Sequence, residues 1–174
     1  MNYVYIATSL DGFIARSDGS LDWLDELTDP EDDYGFEEFM KGIDALVMGR
    51  KTFETVKNFE TWPYTKPVFV LSSRIQELPE KLNGKVEFMK GDPMDIVSKL
   101  NSKGFENLYI DGGETIQRFL KEGLIDEMII TTAPLILGEG IPLFNKLEGD
   151  IKFKCKDVEI LNPYLVKHYY DKDK

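Results

Sequence analysis

Residues 105–120, Phe-Glu-Asn-Leu-Tyr-Ile-Asp-Gly-Gly-Glu-Thr-Ile-Gln-Arg-Phe-Leu, constrain the fold more than any other stretch of the chain. Leu108, Tyr109 and Ile110 make a short apolar run that reads as a buried strand, and it ends in Asp111. Gly112 and Gly113 follow, after which Ile116, Phe119 and Leu120 recur at helical spacing. Strand, Gly-Gly, helix turns bare backbone N–H groups toward one point. The missing Cβ atoms let an anion come close, and the helix N-terminus adds partial positive charge. The same succession also suits a plain tight turn. Its meaning therefore depends on two further segments, Met48-Gly49-Arg50-Lys51-Thr52 and Leu71-Ser72-Ser73-Arg74, each of which also follows a strand-like run.

Strand-like runs fall at about 2–9, 44–48, 67–72, 85–89, 106–110, 126–133, 151–158 and 164–170. Helical patterns fall at about 31–41, 50–58, 93–102 and 113–122. The middle of the chain alternates strand and helix, which predicts an α/β fold with a mostly parallel sheet. Ile151-Lys152-Phe153-Lys154-Cys155-Lys156 alternates apolar residues with lysine. It is expected as a half-exposed antiparallel strand near an edge, with Cys155 buried and inert on the apolar side. Pro30, among acids, is expected to start a helix that Glu31, Asp32 and Asp33 cap and solvate. Residues 134–150 form an apolar loop punctuated by Gly and Pro, which the core or a partner subunit must cover.

A length of 174 residues with no linker or repeat predicts a single domain over 1–174. The net charge of −11 argues against nonspecific binding to nucleic acid or an anionic membrane, but a few local cations could still hold a phosphorylated small molecule. One cysteine forbids an intrachain disulfide. No apolar run approaches the ~18 residues of a bilayer span, and the N-terminus reads as a first strand, so a cytoplasmic location is expected.

Gly49 allows a sharp turn, Arg50 and Lys51 bring two cations beside backbone N–H groups, and Thr52 adds a hydroxyl. That set makes a phosphate clamp, although the same residues would also serve as a solvated, capped helix start. Ser72, Ser73 and Arg74 offer two hydroxyls and a guanidinium to a phosphomonoester, or else a serine-capped turn. Three such segments at the carboxyl ends of three strands mark the edge where open α/β sheets bind ligands. No Gly-x-Gly-x-x-Gly follows a strand and no P-loop is present. One histidine and one cysteine cannot build a typical zinc site, so no metal is expected, and His168 reads as an ordinary strand residue.

Together these segments resemble the dihydrofolate reductase-like superfamily, and within it the reductase branch of riboflavin biosynthesis in stand-alone form. The resemblance covers nearly the whole chain. It runs through Ser9-Leu10-Asp11-Gly12-Phe13-Ile14-Ala15, Ala45 to Thr52, Leu71-Ser72-Ser73, Ile110-Asp111-Gly112-Gly113 and Ala133 to Gly140. It implies a central, mostly parallel sheet with an antiparallel C-terminal strand, flanked by helices, and an NADPH-dependent reductase similar to 5-amino-6-(5-phosphoribosylamino)uracil reductase. It implies that Ala7 lies by the nicotinamide and that Trp23 lines the mouth of the site. Gly49, Arg50, Lys51 and Thr52 would hold the phosphates, with Leu71, Ser72, Ser73 and Arg74 around the adenosine 2′-phosphate. Gly112, Gly113, Glu114 and Thr115 would wrap the pyrophosphate, and Asp111 would stand at a substrate-contact position.

The chemistry so implied is hydride transfer to an electron-poor carbon of a small heterocyclic or carbonyl substrate. Proton delivery would come from a carboxylic acid raised by burial, with Asp11, Asp33 and Asp111 as candidates. The 11–22 loop, flanked by Gly12 and Gly19, is expected as a lid. The alternative is a non-catalytic NADP(H)-binding or regulatory protein on the same fold. The family resemblance also implies a homodimer, with loop 134–144 and strand 151–158 as candidate interfaces.

Overall fold

A computed structural model of the chain describes residues 1–74 and 78–173. Its main sheet has eight strands in the order β5-β4-β3-β6-β1-β7-β10-β9. Six of them are β1 (Asn2–Thr8), β3 (Ala45–Gly49), β4 (Val68–Leu71), β5 (Val86–Met89), β6 (Leu108–Asp111) and β7 (Glu127–Thr132), and neighbours among these run parallel. β10 (Leu165–Lys172) pairs antiparallel with β7, and β9 (Phe153–Asn162) pairs antiparallel with β10 at the edge. This is the expected sheet with its antiparallel C-terminal strand. A small second sheet joins β2 (Phe13–Ala15) to β8 (Ile141–Pro142). These three- and two-residue strands are too short for any period to betray them in the sequence.

Central strands of a parallel sheet are covered on both faces, which explains why Ala45, Leu46, Val47 and Met48 are all 0% exposed. Helices α4 (Pro93–Ser102) and α5 (Gly113–Lys121) cover one face. Pro93 opens α4 at a position where its missing N–H costs nothing. α5 buries Ile116, Phe119 and Leu120 against Val4, Val47 and Ile110, and leaves Glu114, Arg118 and Lys121 in solvent. The other face carries α2 (Phe36–Lys41) and α3 (Arg50–Val56) over Leu46, Met48, Val68 and Val70. Phe36 and Phe39 of α2 pack on Tyr5 and Tyr109, with Phe39 and Tyr109 edge-on at 5.3 Å. A short helix, α1 (Asp22–Asp25), brings Trp23 into a third cluster with Ala133 and Leu165.

Three local expectations are corrected. The helix expected from residue 31 begins only at Phe36, because residues 29–35 coil into turns. There Asp32 and Asp33 bond the amides of Tyr34 and Gly35, and local carboxylate–amide bonds of that kind compete with helix. Asp33 does cap α2, accepting from Glu37 N at 2.7 Å. The alternating strand reaches Asn162, four residues beyond the expected limit, and it is exposed on both sides rather than one. Cys155 is accordingly an exposed thiol and not a buried one. As the last strand, β9 has no helix over its outer half, so alternation alone could not bury its apolar side.

The apolar loop is covered in part by the core. Leu143 is fully buried, Leu135 and Leu137 pack on the Trp23 cluster, and Ile136 and Phe144 remain 69% and 48% exposed. Among the described residues no helix is long and apolar enough to cross a membrane.

Candidate active site

The sheet brings the three segments singled out in the sequence to one edge. β3 pairs with β4 through Gly49↔Leu71, and with β6 through Met48↔Asp111. The carboxyl ends of all three strands therefore stand side by side, and α3 and α5 start directly from two of them. First-turn amides of a helix lack intrahelical acceptors, so Lys51 to Thr52 and Gly113 to Thr115 present N–H groups here. The two helix starts interlock. A Cβ on Gly112 would run into the Thr52 hydroxyl, and one on Gly49 would stand 2.8 Å from Thr115 Oγ1. Gly112 also holds φ +88, a conformation that side chains strongly disfavour. The floor of this cradle can thus only be backbone, which is the surface a phosphate needs for close approach.

The cations over the cradle are engaged with carboxylates. Arg50 Nη1 meets Glu54 Oε1 at 2.6 Å along α3, and Lys51 Nζ meets Glu114 Oε1 at 2.6 Å across to α5. Both pairs are well exposed and of the weak kind that an incoming phosphate displaces readily. Ser72 donates its hydroxyl to the Arg74 carbonyl at 2.7 Å and accepts from Arg74 N, so this turn closes on itself. Ser73 and Arg74 lie exposed beside it.

The three candidate acids occupy unlike surroundings. Asp11 is exposed. It accepts from Ser9 Oγ at 2.6 Å, Gly138 N at 2.8 Å and Leu137 N at 3.1 Å, and the serine bond above all lowers its carboxyl below the ordinary value. It staples the start of the 11–22 segment to the 134–144 loop, and β2–β8 pairing ties the next residues to the same loop. Asp33 is also exposed and lowered, chiefly by the Glu37 and Gly35 amides. Asp111 is the opposite. Burial pushes its carboxyl up to about 6, against the pull of the Gly112 amide and the Tyr109 and Tyr64 hydroxyls. Tyr109 Oη donates its single proton to the Tyr5 carbonyl at 2.9 Å. Burial and Asp111 in turn raise Tyr64 and Tyr109.

Beside Tyr64 stands Trp62, ring centroids 5.3 Å apart, whose buried Nε1 meets no hydrogen-bond partner among the described residues. Nothing in the sequence marked Trp62 or Tyr64 as site residues. The fold sets Tyr64 against Asp111, and Trp62 stands behind it on the Tyr64 ring. Trp23 is buried at 2% exposure in the cluster that Ala7 joins, and its Nε1 is likewise without a partner among the described residues.

Sequence and structural comparisons place the chain in a family and a fold. The family model of the RibD C-terminal domain matches residues 3–167. The uncharacterized protein YwjB of Bacillus subtilis (strain 168) is 37% identical over 169 residues, which is 95% of each chain. A crystal structure from Shewanella sp. PV-4, whose name associates it with riboflavin biosynthesis, superposes with a TM-score of 0.94 at 49% identity over 99% of both chains. Dihydrofolate reductase from Enterococcus faecalis, solved with NADP(H), shares the fold at a TM-score of 0.68 and 18% identity, covering 100% of this chain and 97% of that one. The family model over residues 3–167, together with the 37% identity to YwjB, identifies the chain as a member of the RibD C-terminal domain family.

Proposed function

We propose that this single-domain protein is an NADPH-dependent reductase that delivers hydride to a small heterocyclic or carbonyl substrate. The observation that carries the reading is the glycine-floored cradle at the joined ends of β3, β4 and β6, with the partly buried Asp111, whose carboxyl is raised, beside it. In this reading the amides of Gly113, Glu114 and Thr115 and the Thr52 hydroxyl hold the pyrophosphate. Arg50, Lys51, Ser72, Ser73 and Arg74 receive the 2′-phosphate side, and Ala7 flanks the nicotinamide. The bound cofactor supplies the hydride, and the protein supplies position and electrostatics. Asp111 remains neutral into the weakly acid range, so it can donate a hydrogen bond or a proton to the substrate atom that gains charge. Asp11 and Asp33 serve architecture, as ionised acceptors for backbone amides.

The reading extends to a homodimer formed through β9, where Val158 and Ile160 stand 49% and 76% exposed on an unpaired edge. Thermal denaturation with NADPH, NADP⁺, NADH or buffer, on the wild type and Arg50→Ala, tests the cofactor assignment. An upward shift with the phosphorylated cofactors, reduced in the variant, supports it, since a ligand that binds the native state must stabilise it. No shift with any of the three overturns it. NADPH oxidation across pterins, pyrimidines and quinones then distinguishes an enzyme from a non-catalytic binder.

A further inference from the structure

A second opening lies on the α2 face of the sheet, beyond the aromatic packing of Phe36, Phe39, Tyr5 and Tyr109 that separates it from Asp111. It is a cleft of about 470 Å³ between the 32–35 turn with α2 and the last two strands. That volume lies in the range of small-molecule sites. Tyr5, Ile129 and Tyr169 form one row across its floor, since register places them directly opposite one another on β1, β7 and β10. The next row is Ala7, Thr131, Lys167 and Glu159. Phe39 and Tyr34 close the helix side.

Lys167 is the anomaly. A lysine is almost never fully buried, yet this one is 2% exposed and lines the cleft. Its ammonium has three N–H donors. One goes to the carbonyl of Tyr34, which Tyr5 Oη also reaches at 2.9 Å. Glu159 Oε2 lies at 4.0 Å, outside hydrogen-bond range, and the Tyr5 ring centroid lies at 5.5 Å. Among the described residues the remaining donors meet no hydrogen-bond acceptor. A buried ammonium in that state favours an acceptor brought in from the cleft. The mouth has the opposite sign. Asp32, Glu38 and Glu159 are exposed around it, and Glu159 is fixed by Tyr169 Oη at 3.0 Å.

We propose that this cleft binds a small zwitterion with a flat apolar body, its carboxylate inward on Lys167 and its ammonium outward among Asp32, Glu38 and Glu159. An anion alone would meet three carboxylates on entry, and a cation alone would leave the Lys167 donors unmatched. Tyrosine and phenylalanine walls suit the ring between the two ends. None of the residues that line the cleft belongs to the phosphate cradle.

Binding of 4-(aminomethyl)benzoate, benzylamine and benzoate, followed by isotope-edited NMR on the full chain, tests the proposal. The zwitterion should bind most tightly and shift the backbone signals of Tyr34, Tyr169 and Lys167, with and without saturating NADPH. Lys167→Met keeps the apolar stem and should weaken the zwitterion about tenfold, to the level of benzylamine, as expected for losing one buried charge-assisted contact. Glu159→Gln, which keeps an oxygen for Tyr169 Oη, should weaken both ammonium probes and should not weaken benzoate. Four outcomes overturn the proposal: no probe binding the wild type, benzylamine binding as tightly as the zwitterion, binding insensitive to both substitutions, or displacement by NADPH.

Discussion

Replacing Asp111 with asparagine isolates the cost of ionising this desolvated carboxyl. The folded-state value near 6 lies above the ordinary 3.8, so the native state binds a proton more tightly than the unfolded chain does. Stability is then greatest below the unfolded value and falls as pH rises through the folded one. The full difference is about 3 kcal/mol, of which about half is already lost near pH 5 and the rest by about pH 8. The substituted amide keeps an oxygen for Gly112 N, whose bond Asp111 Oδ1 accepts at 2.8 Å in the wild type, and it carries no charge at any pH.

Urea unfolding of both proteins near pH 5 and near pH 8 makes the comparison, and the difference between them cancels the background of other carboxylates. The advantage of Asp111→Asn should grow by about 1.5 kcal/mol between the two conditions, equivalent to about 3–6 °C in Tm for a chain of this size. A constant or shrinking advantage would show that the tyrosine hydroxyls and the Gly112 amide stabilise the carboxylate, and the assignment of Asp111 as a neutral donor would fail with it.

Gly112→Ala should cost about 3 kcal/mol, because it forces a side chain onto positive φ and into Thr52, and it should abolish the NADPH-induced thermal shift in whatever folded protein remains. Asp33→Ala removes the α2 cap and should lower stability by about 1 kcal/mol in the same urea assay, with NADPH affinity unchanged. A double substitution of Val158 and Ile160 to Glu should convert a dimer to a monomer in light scattering. A mass unchanged from wild type would remove β9 as the interface.

The sheet was legible because its signals are local. Continuous apolar runs such as Ala45 to Met48 mark buried parallel strands, and the lysine alternation marked β9 as an edge. What stayed hidden depended on neighbours that are distant in sequence. Asp32 and Asp33 look like helix starters until their carboxylates fold back on Tyr34 and Gly35. The three candidate acids are alike in sequence, and only the tertiary setting separates Asp111, walled by Tyr64 and Tyr109, from Asp11 and Asp33, held by amides in solvent. Lys167 sits in an alternating strand where any residue could face either side. Its burial follows from where α2 and the Tyr34 carbonyl happen to lie.

The position of β1 has a consequence for synthesis. β1 leaves the ribosome well before its neighbours β6 and β7, so Tyr3 meets Tyr109 and Glu127 only after about a hundred further residues have been made. At bacterial or eukaryotic rates of about 5–20 residues per second, that delay is about 5–20 s. During it, β3, β4 and β5 can pair with one another, being close in sequence, while Val4, Tyr5 and Ile6 wait without partners. The nascent chain therefore carries β1, one of the two middle strands of the sheet, unpaired until β6 and β7 are made, and the sheet closes by inserting β1 between them.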